Sequence, residues 1–512
     1  MRWDPRGKIS APLNFLRRRR LTRLKNITSS IGGSNPPAAG ETQDPSPDSP
    51  PIRFGTDGWR GRIAQEVTLA SLRRLAVAVA GYLRERGPGP LPVAVGYDGR
   101  FLASRFAREI CLCLSREGVA PLLSPEPIPT AAVSRRVVTA RAPLGLMITA
   151  SHNPPDYSGV KLKDGLGGTL EPEETARVEM LVPSSDPGPV PEAPLPRHPS
   201  FIPAYLRGLK EGVALAEIRR ARLRLVADSM HGMGGDLMER VLGGGRLRVR
   251  TVRGHADPLF GGTLPEPLAC HLSPLTEAVR REGADLGIAT DGDADRIGAC
   301  DESGRFLSPL TLLPLLAMHL IEFRGERGGI ARTFAGSLRM ERIARRHGLP
   351  FYSLPVGFKH VAKLLRRNEI LVGGEESGGF GFRGYLPERD GLLSALVLVE
   401  AIVLSGCRLS ELVTRLEREY GRTRYDRIDL PLPAESGRRI VRRLTASPPR
   451  RIAGLRVTGT DLLDGLKLLL GDDGWLLFRP SGTEPVLRLY CEAPTIRMVT
   501  AVLRHAVRLA RT

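Results

Sequence analysis

Leu144-Gly145-Leu146-Met147-Ile148 runs into Thr149-Ala150-Ser151-His152-Asn153-Pro154-Pro155, so that an apolar run of strand length ends at a turn whose paired prolines stop regular pairing. Such a turn holds a side chain stiffly, and the one it presents is the Ser151 hydroxyl. A bare serine hydroxyl is a poor nucleophile at neutral pH, so a catalytic Ser151 needs an activating base, a metal or prior phosphorylation. On these residues alone, an ordinary Ser/Asn/Pro turn explains the stretch as well.

Working outward toward the N-terminus, the pattern alternates. A helix is expected over residues 104–117, a strand at Pro92-Val93-Ala94-Val95-Gly96 with the turn Tyr97-Asp98-Gly99-Arg100, and a helix over 69–83. Alternation of this kind means α/β layers. Before it, Phe54-Gly55-Thr56-Asp57-Gly58-Trp59-Arg60-Gly61 joins a glycine loop to a guanidinium that can hold an anion. Residues 1–51 carry Arg17-Arg18-Arg19-Arg20 and then a stretch rich in Gly, Pro, Ser and acids. They read as a disordered arm, basic and Pro-rich, without the apolar core of a secretory signal.

Toward the C-terminus, Gly159-Val160-Lys161-Leu162-Lys163 reads as a strand, a helix follows over 171–181, and seven prolines in residues 183–199 mark a linker. The α/β pattern resumes with Arg222-Leu223-Arg224-Leu225-Val226-Ala227 and a glycine-rich turn at 228–235, which matches no dinucleotide fingerprint. After the strand-like run 284–290 come Asp291-Gly292-Asp293-Ala294-Asp295-Arg296. Three carboxylates at alternate positions repel one another, and a hard divalent cation, Mg²⁺ or a relative, neutralises such a set. Glu302 stands twelfth, as in an EF-hand loop, but the sixth position is Arg296 in place of glycine, and strands flank the loop. A capped surface turn is the remaining alternative.

Two further loops follow. Pro355-Val356-Gly357-Phe358-Lys359 offers a cation beside an aromatic, and Gly373-Gly374-Glu375-Glu376-Ser377-Gly378-Gly379 offers carboxylates and a hydroxyl on a backbone that a ligand can approach closely. The second is equally compatible with a hairpin or a helix cap. Near the end, Phe478-Arg479-Pro480-Ser481-Gly482-Thr483-Glu484-Pro485 lies between two strand-like runs and supplies the arginine, hydroxyls and glycine amide that suit a phosphate dianion. A helix over 498–510 is expected to cover this small sheet.

The chain of 512 residues is 41% hydrophobic and 25% charged, a globular composition with no apolar run long enough to cross a bilayer. Its six cysteines show no paired metal-ligand spacing and read as reduced core or near-core thiols of a cytoplasmic protein. The net charge is +20, but the arm holds nine Lys/Arg against four acids, and the remaining +15 is spread out. Most arginines sit in helix-like patterns such as Ser71-Leu72-Arg73-Arg74-Leu75, where solvated faces are expected. With few aromatics beside them, a nucleic-acid platform is not expected.

In this order and spacing, the serine, metal, sugar and phosphate loops resemble those of the α-D-phosphohexomutase family, and the resemblance runs from residue 52 to 512. It implies an α/β fold of four domains, three of a common mixed α/β type (52–187, 188–301, 302–421) and a C-terminal TATA-binding-like α+β domain (422–512), with the site in the central cleft. By the same resemblance Ser151 is phosphorylated, and Asp291, Asp293 and Asp295 hold Mg²⁺ with a phosphoserine oxygen. Lys161 sits near the transferring proton, and Arg60 and Arg296 support charge at that centre. Lys359, Glu375 and Ser377 meet the sugar, while Arg479, Ser481, Gly482 and Thr483 grip the other phosphate.

The activity implied is interconversion of glucose 1-phosphate and glucose 6-phosphate through glucose 1,6-bisphosphate, which also serves as activator. Expected partners are the hexose phosphate alone, with no nucleic acid or membrane, for a monomer or weak homodimer. The Glu-Glu-Ser-Gly-Gly form resembles the phosphoglucomutase branch, since Gly379 stands where many phosphomannomutase-type and glucosamine-type members carry histidine. This leaves the general base in one direction unassigned. Alternatives are a phosphomannomutase or dual-specificity enzyme, a metal-dependent sugar phosphatase on the same scaffold, and a non-catalytic homologue.

Overall fold

In a computed structural model, which describes residues 50–87, 89–482 and 485–511, one strand arrangement is built three times in succession. The first copy comprises β1 (Trp59–Arg62), α1 (Leu69–Arg84), β2 (Pro92–Tyr97), α2 (Ala103–Arg116), β3 (Ala120–Leu123), α3 (Thr130–Ala140), β4 (Leu144–Ile148), β5 (Tyr157–Asp164) and α4 (Pro172–Met180). The second comprises α5 (Ile202–Glu211), α6 (Leu215–Arg220), β6 (Arg224–Asp228), α7 (Leu237–Leu242), β7 (Arg248–Val252), α8 (Ser273–Glu282), β8 (Leu286–Thr290), β9 (Ile297–Asp301) and β10 (Phe306–Leu307). The third comprises α9 (Pro309–Glu322), β11 (Gly329–Thr333), α10 (Leu338–His347), β12 (Phe351–Leu354), α11 (Phe358–Arg366), β13 (Ile370–Gly374), β14 (Phe380–Phe382), α12 (Gly391–Ser405) and α13 (Leu409–Tyr420).

Three strands pair in parallel in each copy, as β3-β2-β4, β7-β6-β8 and β12-β11-β13, and a fourth returns antiparallel as β5, β9 or β14. The parallel strands read as near-continuous apolar runs because helices cover both faces. The antiparallel return is a tight loop, and it is the same loop each time: 149–156, 291–296 and 375–379. The loop 375–379 is therefore a hairpin between β13 and β14, which decides between the hairpin and the helix cap.

The last part is built differently. It contains β15 (Arg424–Pro431), α14 (Ala434–Ala446), a small ribbon of β16 (Arg451–Ile452) and β17 (Leu455–Arg456), β18 (Gly459–Asp461), β19 (Leu466–Leu469), β20 (Trp475–Pro480), β21 (Val486–Ala493) and α15 (Ile496–Arg511). Its sheet is antiparallel throughout, in the order β15-β21-β20-β19-β18. Alternation assigns its two faces: Leu476 and Phe478 pack with Val499, Val502 and Leu503 of α15, whereas Trp475 and Leu477 pack against Leu310 and Phe334 of the third copy.

Apolar helix α12 is buried over residues 391–402, as a core helix should be, and among the described residues no single helix is long and apolar enough to cross a membrane. The expected arm, residues 1–51, lies outside the described residues except for its last two. The helix and strand boundaries fall within about two residues of those expected.

Two expectations are corrected. Arg73 and Arg74 do not lie on a solvated face, because the proline-rich segment folds back over α1 and buries them. Arg73 donates to Asp186 and, at 2.9 Å, to Glu109, while Arg74 donates to the Pro183 carbonyl at 2.7 Å and the Pro50 carbonyl at 3.0 Å. Arg105 and Arg108 bind Glu192 farther along the same strap. The second correction concerns Cys270, which is exposed; of the other thiols Cys407 is half-buried and the remaining four are buried, all six free.

Candidate active site

Because the three hairpin loops leave equivalent strands, packing the copies side by side brings their loops to one cleft. Ser151 has a left-handed backbone, φ +52°, which costs a non-glycine residue about 1–2 kcal/mol. Its neighbours hold it there. The Arg100 guanidinium donates to the carbonyls of Ser151 and Asn153 at 2.7 Å, of Pro154 at 2.7 Å and of Tyr157 at 3.1 Å. The Ser151 amide donates to Thr149 Oγ1 at 2.8 Å, and that hydroxyl donates to Asp98 Oδ2 at 2.6 Å. Burial pushes the Asp98 carboxyl up to about 6, against the pull of Arg100 and Thr149.

The metal loop meets the serine loop almost backbone to backbone. A Cβ on Gly292 would lie 2.4 Å from the Ser151 carbonyl oxygen, so this position requires glycine. Ser151 Oγ donates to Asp291 Oδ2 at 2.8 Å, and the other oxygen of Asp291 accepts from the amides of Asp295 at 2.9 Å and Arg296 at 3.0 Å. Thr130, at the start of α3, donates its hydroxyl to Asp293 Oδ2 at 2.5 Å. Burial, followed by repulsion from Asp295 and Asp293, holds the Asp291 carboxyl well above the usual carboxylate range.

Lys161 lies opposite Met147 in the β4–β5 register. Its Nζ reaches Asp295 Oδ2 at 2.6 Å, Asp293 Oδ2 at 2.7 Å and Asp57 Oδ2 at 3.0 Å. Arg60 binds Asn153 at 2.9 Å and Asp57 at 3.1 Å. Arg296 stands farther off, its Nε 3.8 Å from Asp291 and 3.9 Å from Asp295.

Asp291, Asp293 and Asp295 are buried with one oxygen each inside a 4.8 Å span, and Asp293 Oδ1 and Asp295 Oδ1 have no hydrogen-bond partner among the described residues. Buried carboxylate oxygens without donors suit a cation. Charge points the same way, because Asp291 already stands against repulsion from Asp295 and Asp293, and a phosphate on Ser151 would add about two negative charges beside it. The donor set is all oxygen, which suits a hard divalent ion.

Of the remaining expected residues, Lys359 and Glu375 adjoin this centre, whereas Ser377 and the loop of Arg479 are placed through other contacts. Lys359 lines one pocket with Asp57 and Lys161, and Ser377 lines a larger cavity with Glu376, Glu266 and Arg427. Glu375 is buried, accepting from the Gly357 amide at 3.0 Å and from Arg389 at 3.2 Å, and burial raises its pKa despite Arg389. Arg479 Nε donates to Asp464 Oδ2 at 2.9 Å, and the same oxygen accepts from the Val356 amide at 2.8 Å, which ties the phosphate loop to the Lys359 loop. Ser481 is buried and its amide donates to the Val486 carbonyl at 2.9 Å. Gly482 faces open space. Thr483 lies outside the described residues.

Asp57 lies in the glycine loop that also carries Arg60, whereas Asp98, Arg100, Thr130 and Arg389 belong to none of the four motif loops, and Arg389 meets Asp57 across 332 positions of chain. Adjacent Glu388, Arg389 and Asp390 are all buried and so require partners, but their adjacency in the sequence does not say which partners those are.

Comparison with known proteins matches the chain in four successive blocks to phosphoglucomutase/phosphomannomutase alpha/beta/alpha domains I, II and III, at residues 51–187, 203–304 and 309–420, and to the C-terminal domain at 451–508. A phosphoglucomutase/phosphomannomutase of Thermococcus kodakarensis is 31% identical over 458 residues, covering 89% of this chain and 98% of the relative. A probable phosphoglucosamine mutase of Methanothermobacter thermautotrophicus is 33% identical over 460 residues, covering 87% and 94%. Among solved structures, a putative phosphomannomutase from Thermus thermophilus is 36% identical with a TM-score of 0.82, covering 91% of this chain and 100% of that one.

Proposed function

Because the chain belongs to the phosphoglucomutase/phosphomannomutase family and is an enzyme of that phosphohexomutase group, we propose that it interconverts glucose 1-phosphate and glucose 6-phosphate through a phosphoserine at Ser151. The observation that carries this reading is the Ser151 hydroxyl bound to Asp291 at 2.8 Å, with the Lys161 ammonium fixed on the other two aspartates. In the transfer, a sugar hydroxyl oxygen forms a bond to the phosphorus on Ser151 while the bond from phosphorus to Ser151 Oγ breaks. The proton lost by the sugar hydroxyl is balanced by the one gained at Ser151 Oγ, which leaves as a free hydroxyl beside Asp291, while Lys161 stays charged on its carboxylates. The bisphosphate then turns over and returns its other phosphate to Ser151.

Phosphoryl transfer asks for positioning and charge neutralisation more than for covalent chemistry from the protein. Arg100 and Thr149 position the serine, and Lys161, Arg60 and Arg296 surround the transferring group. Asp291, Asp293 and Asp295 would hold Mg²⁺, which supplies a divalent charge beside the phosphoserine oxygens. Glu375 and Ser377 would accept from sugar hydroxyls, Lys359 would approach the sugar from the Asp57 and Lys161 side, and Arg479 with Ser481 would hold the phosphate that stays.

A second reading, a phosphomannomutase or dual-specificity enzyme, is favoured by the name of the 36% identical Thermus protein. One assay separates them: glucose, mannose and glucosamine 1-phosphates supplied with Mg²⁺ and a trace of the matching bisphosphate, and products followed by phosphorus NMR. The proposal expects glucose 6-phosphate to form fastest, with turnover abolished by chelation. Faster turnover of mannose 1-phosphate reassigns the sugar, and release of free sugar with phosphate makes the protein a phosphatase.

A further inference from the structure

Arg389 precedes α12 and is almost fully buried. Its Nη2 donates to Asp57 Oδ2 and, at 2.6 Å, to Asp295 Oδ2, and its Nη1 reaches Glu375 Oε2 at 3.2 Å. The Lys161 ammonium lies on the same two oxygens, Asp57 Oδ2 at 3.0 Å and Asp295 Oδ2 at 2.6 Å. Lysine, aspartate, arginine and aspartate thus close a ring of alternating charge, drawn from three copies of the repeated fold. In a buried site such a ring holds each member more firmly than one pair would, because removing a member leaves two charges unbalanced.

Gly379 is what admits the arginine. A Cβ there would stand 2.2 Å from Arg389 Cδ, 3.1 Å from its Cγ and 3.3 Å from its Nε. The backbone of Gly379 has no positive φ to need glycine for, so the constraint is the volume filled by Arg389, whose guanidinium carbon also lies 5.5 Å from the centre of the Phe358 ring.

Resting on the mutase reading, we propose that Arg389 is a positioning residue for phosphoryl transfer, fixing Lys161 and Asp295 through their shared carboxylate ring, and that Gly379 is the matched residue that lets it reach them. Without Arg389, among the described residues Asp295 Oδ2 keeps only Lys161 and Asp57 Oδ2 keeps Lys161 and Arg60, so Lys161 is drawn off the reacting atoms. The transfer step then suffers more than sugar binding. Misplacing a catalytic group by about 1 Å costs on the order of a hundredfold in rate.

The test compares the unaltered enzyme, Gly379→Ala, Arg389→Ala and the double variant, each with Mg²⁺ and whichever hexose 1-phosphate the unaltered enzyme turns over best. Turnover by the unaltered enzyme judges the mutase reading by itself. Arg389→Ala should lose about a hundredfold in kcat with little change in KM, and added guanidinium ion should restore part of the loss. Gly379→Ala should lose about tenfold or more when Arg389 is present and add almost nothing when it is absent, because the steric partner is gone. Independently of activity, Lys161 should resist acetylation in the unaltered protein and become labelled in Arg389→Ala, as read by peptide mass spectrometry. Additive losses, unchanged Lys161 labelling, or near-normal kcat in Arg389→Ala would overturn the proposal. Should Arg389→Ala fail to fold, Arg389→Lys decides: lysine lacks the two separate nitrogens by which the guanidinium holds Asp57 and Asp295 with one and Glu375 with the other, so a folded Arg389→Lys protein with full kcat overturns it equally.

Discussion

Ser151 carries both a strained backbone and a hydroxyl pointed at a carboxylate, and the two belong together. A left-handed serine costs energy that only surrounding contacts can offset, and Arg100 supplies four such contacts to the turn carbonyls. The side chain is buried but small, and its hydroxyl donates to Asp291. Ser151→Ala should therefore keep the thermal midpoint within a few degrees and lose nearly all mutase turnover, and intact-mass analysis after incubation with glucose 1,6-bisphosphate should find phosphate on the unaltered protein alone. Full turnover by the folded variant would end the phosphoserine reading. The serine and the aspartates were legible because their chemistry is local: one hydroxyl between a strand and a turn, three acids within five positions. Arg389 was not, because it meets Asp57 across 332 positions of chain, and no window of sequence contains both. Arg73 was misread for a similar reason, since helical periodicity describes the face of α1 but says nothing of the strap that covers it.

Elements were read more faithfully than their surroundings, because alternation of apolar runs with turn residues is set within some ten positions, whereas the covering of a face is set elsewhere. The strap makes this measurable. Glu109 is buried, and Arg73 is its shortest ion-pair partner, at 2.9 Å against 3.3 Å to half-exposed Arg105. Arg73→Ala leaves that carboxylate largely unpaired, and breaking a buried pair costs about 3 kcal/mol, so the urea midpoint of the first copy should fall while turnover below the transition stays normal. Helix α12 offers a second case. Its N-cap, Asp390, accepts from the amides of Leu392 at 2.9 Å and Leu393 at 3.0 Å and from the hydroxyls of Tyr205 and Tyr385 at 3.0 Å. Burial pushes its carboxyl up to about 6 from an ordinary 3.8, against those hydrogen bonds. Between those values the folded state holds more protons here than the unfolded chain, so the contribution of Asp390 to stability is full below the lower value and is lost as pH rises through the higher one. Asparagine does not titrate. Asp390→Asn should gain on the unaltered protein by about 3 kcal/mol between pH 4 and pH 7, read as the change in the difference of their unfolding free energies, and a constant difference would refute the assignment.

Over the whole molecule, the cleft exists only while the copies stay in register, and buried ions fasten the first to the third. Lys163, two residues beyond Lys161 on β5 and so on the same face of the strand, binds Glu388, immediately before Arg389, with both side chains fully buried. Glu388 is also bound to the Arg389 amide at 3.0 Å, so this pair and the Lys161, Asp57, Arg389 and Asp295 ring lie side by side and share a backbone. An isolated buried charge is far more costly than the pair is stabilising, because desolvation of both ions consumes most of their attraction. The two single changes should therefore differ sharply from the double one. Glu388→Gln leaves the Lys163 ammonium without its counter-charge and should lower stability by about 3–5 kcal/mol, and Lys163→Met should do the same to the carboxylate. Lys163→Met with Glu388→Leu removes both charges for side chains of similar bulk and should recover most of that loss. Calorimetric or urea unfolding of the four proteins measures the coupling directly. Turnover adds a second reading, since the double variant, although stable, has lost the contact that aligns residue 388 and so should be slower than the unaltered enzyme. If the single variants unfold at the same midpoint as the unaltered protein, the pair is not buried in solution, and the first and third copies are fastened by other contacts.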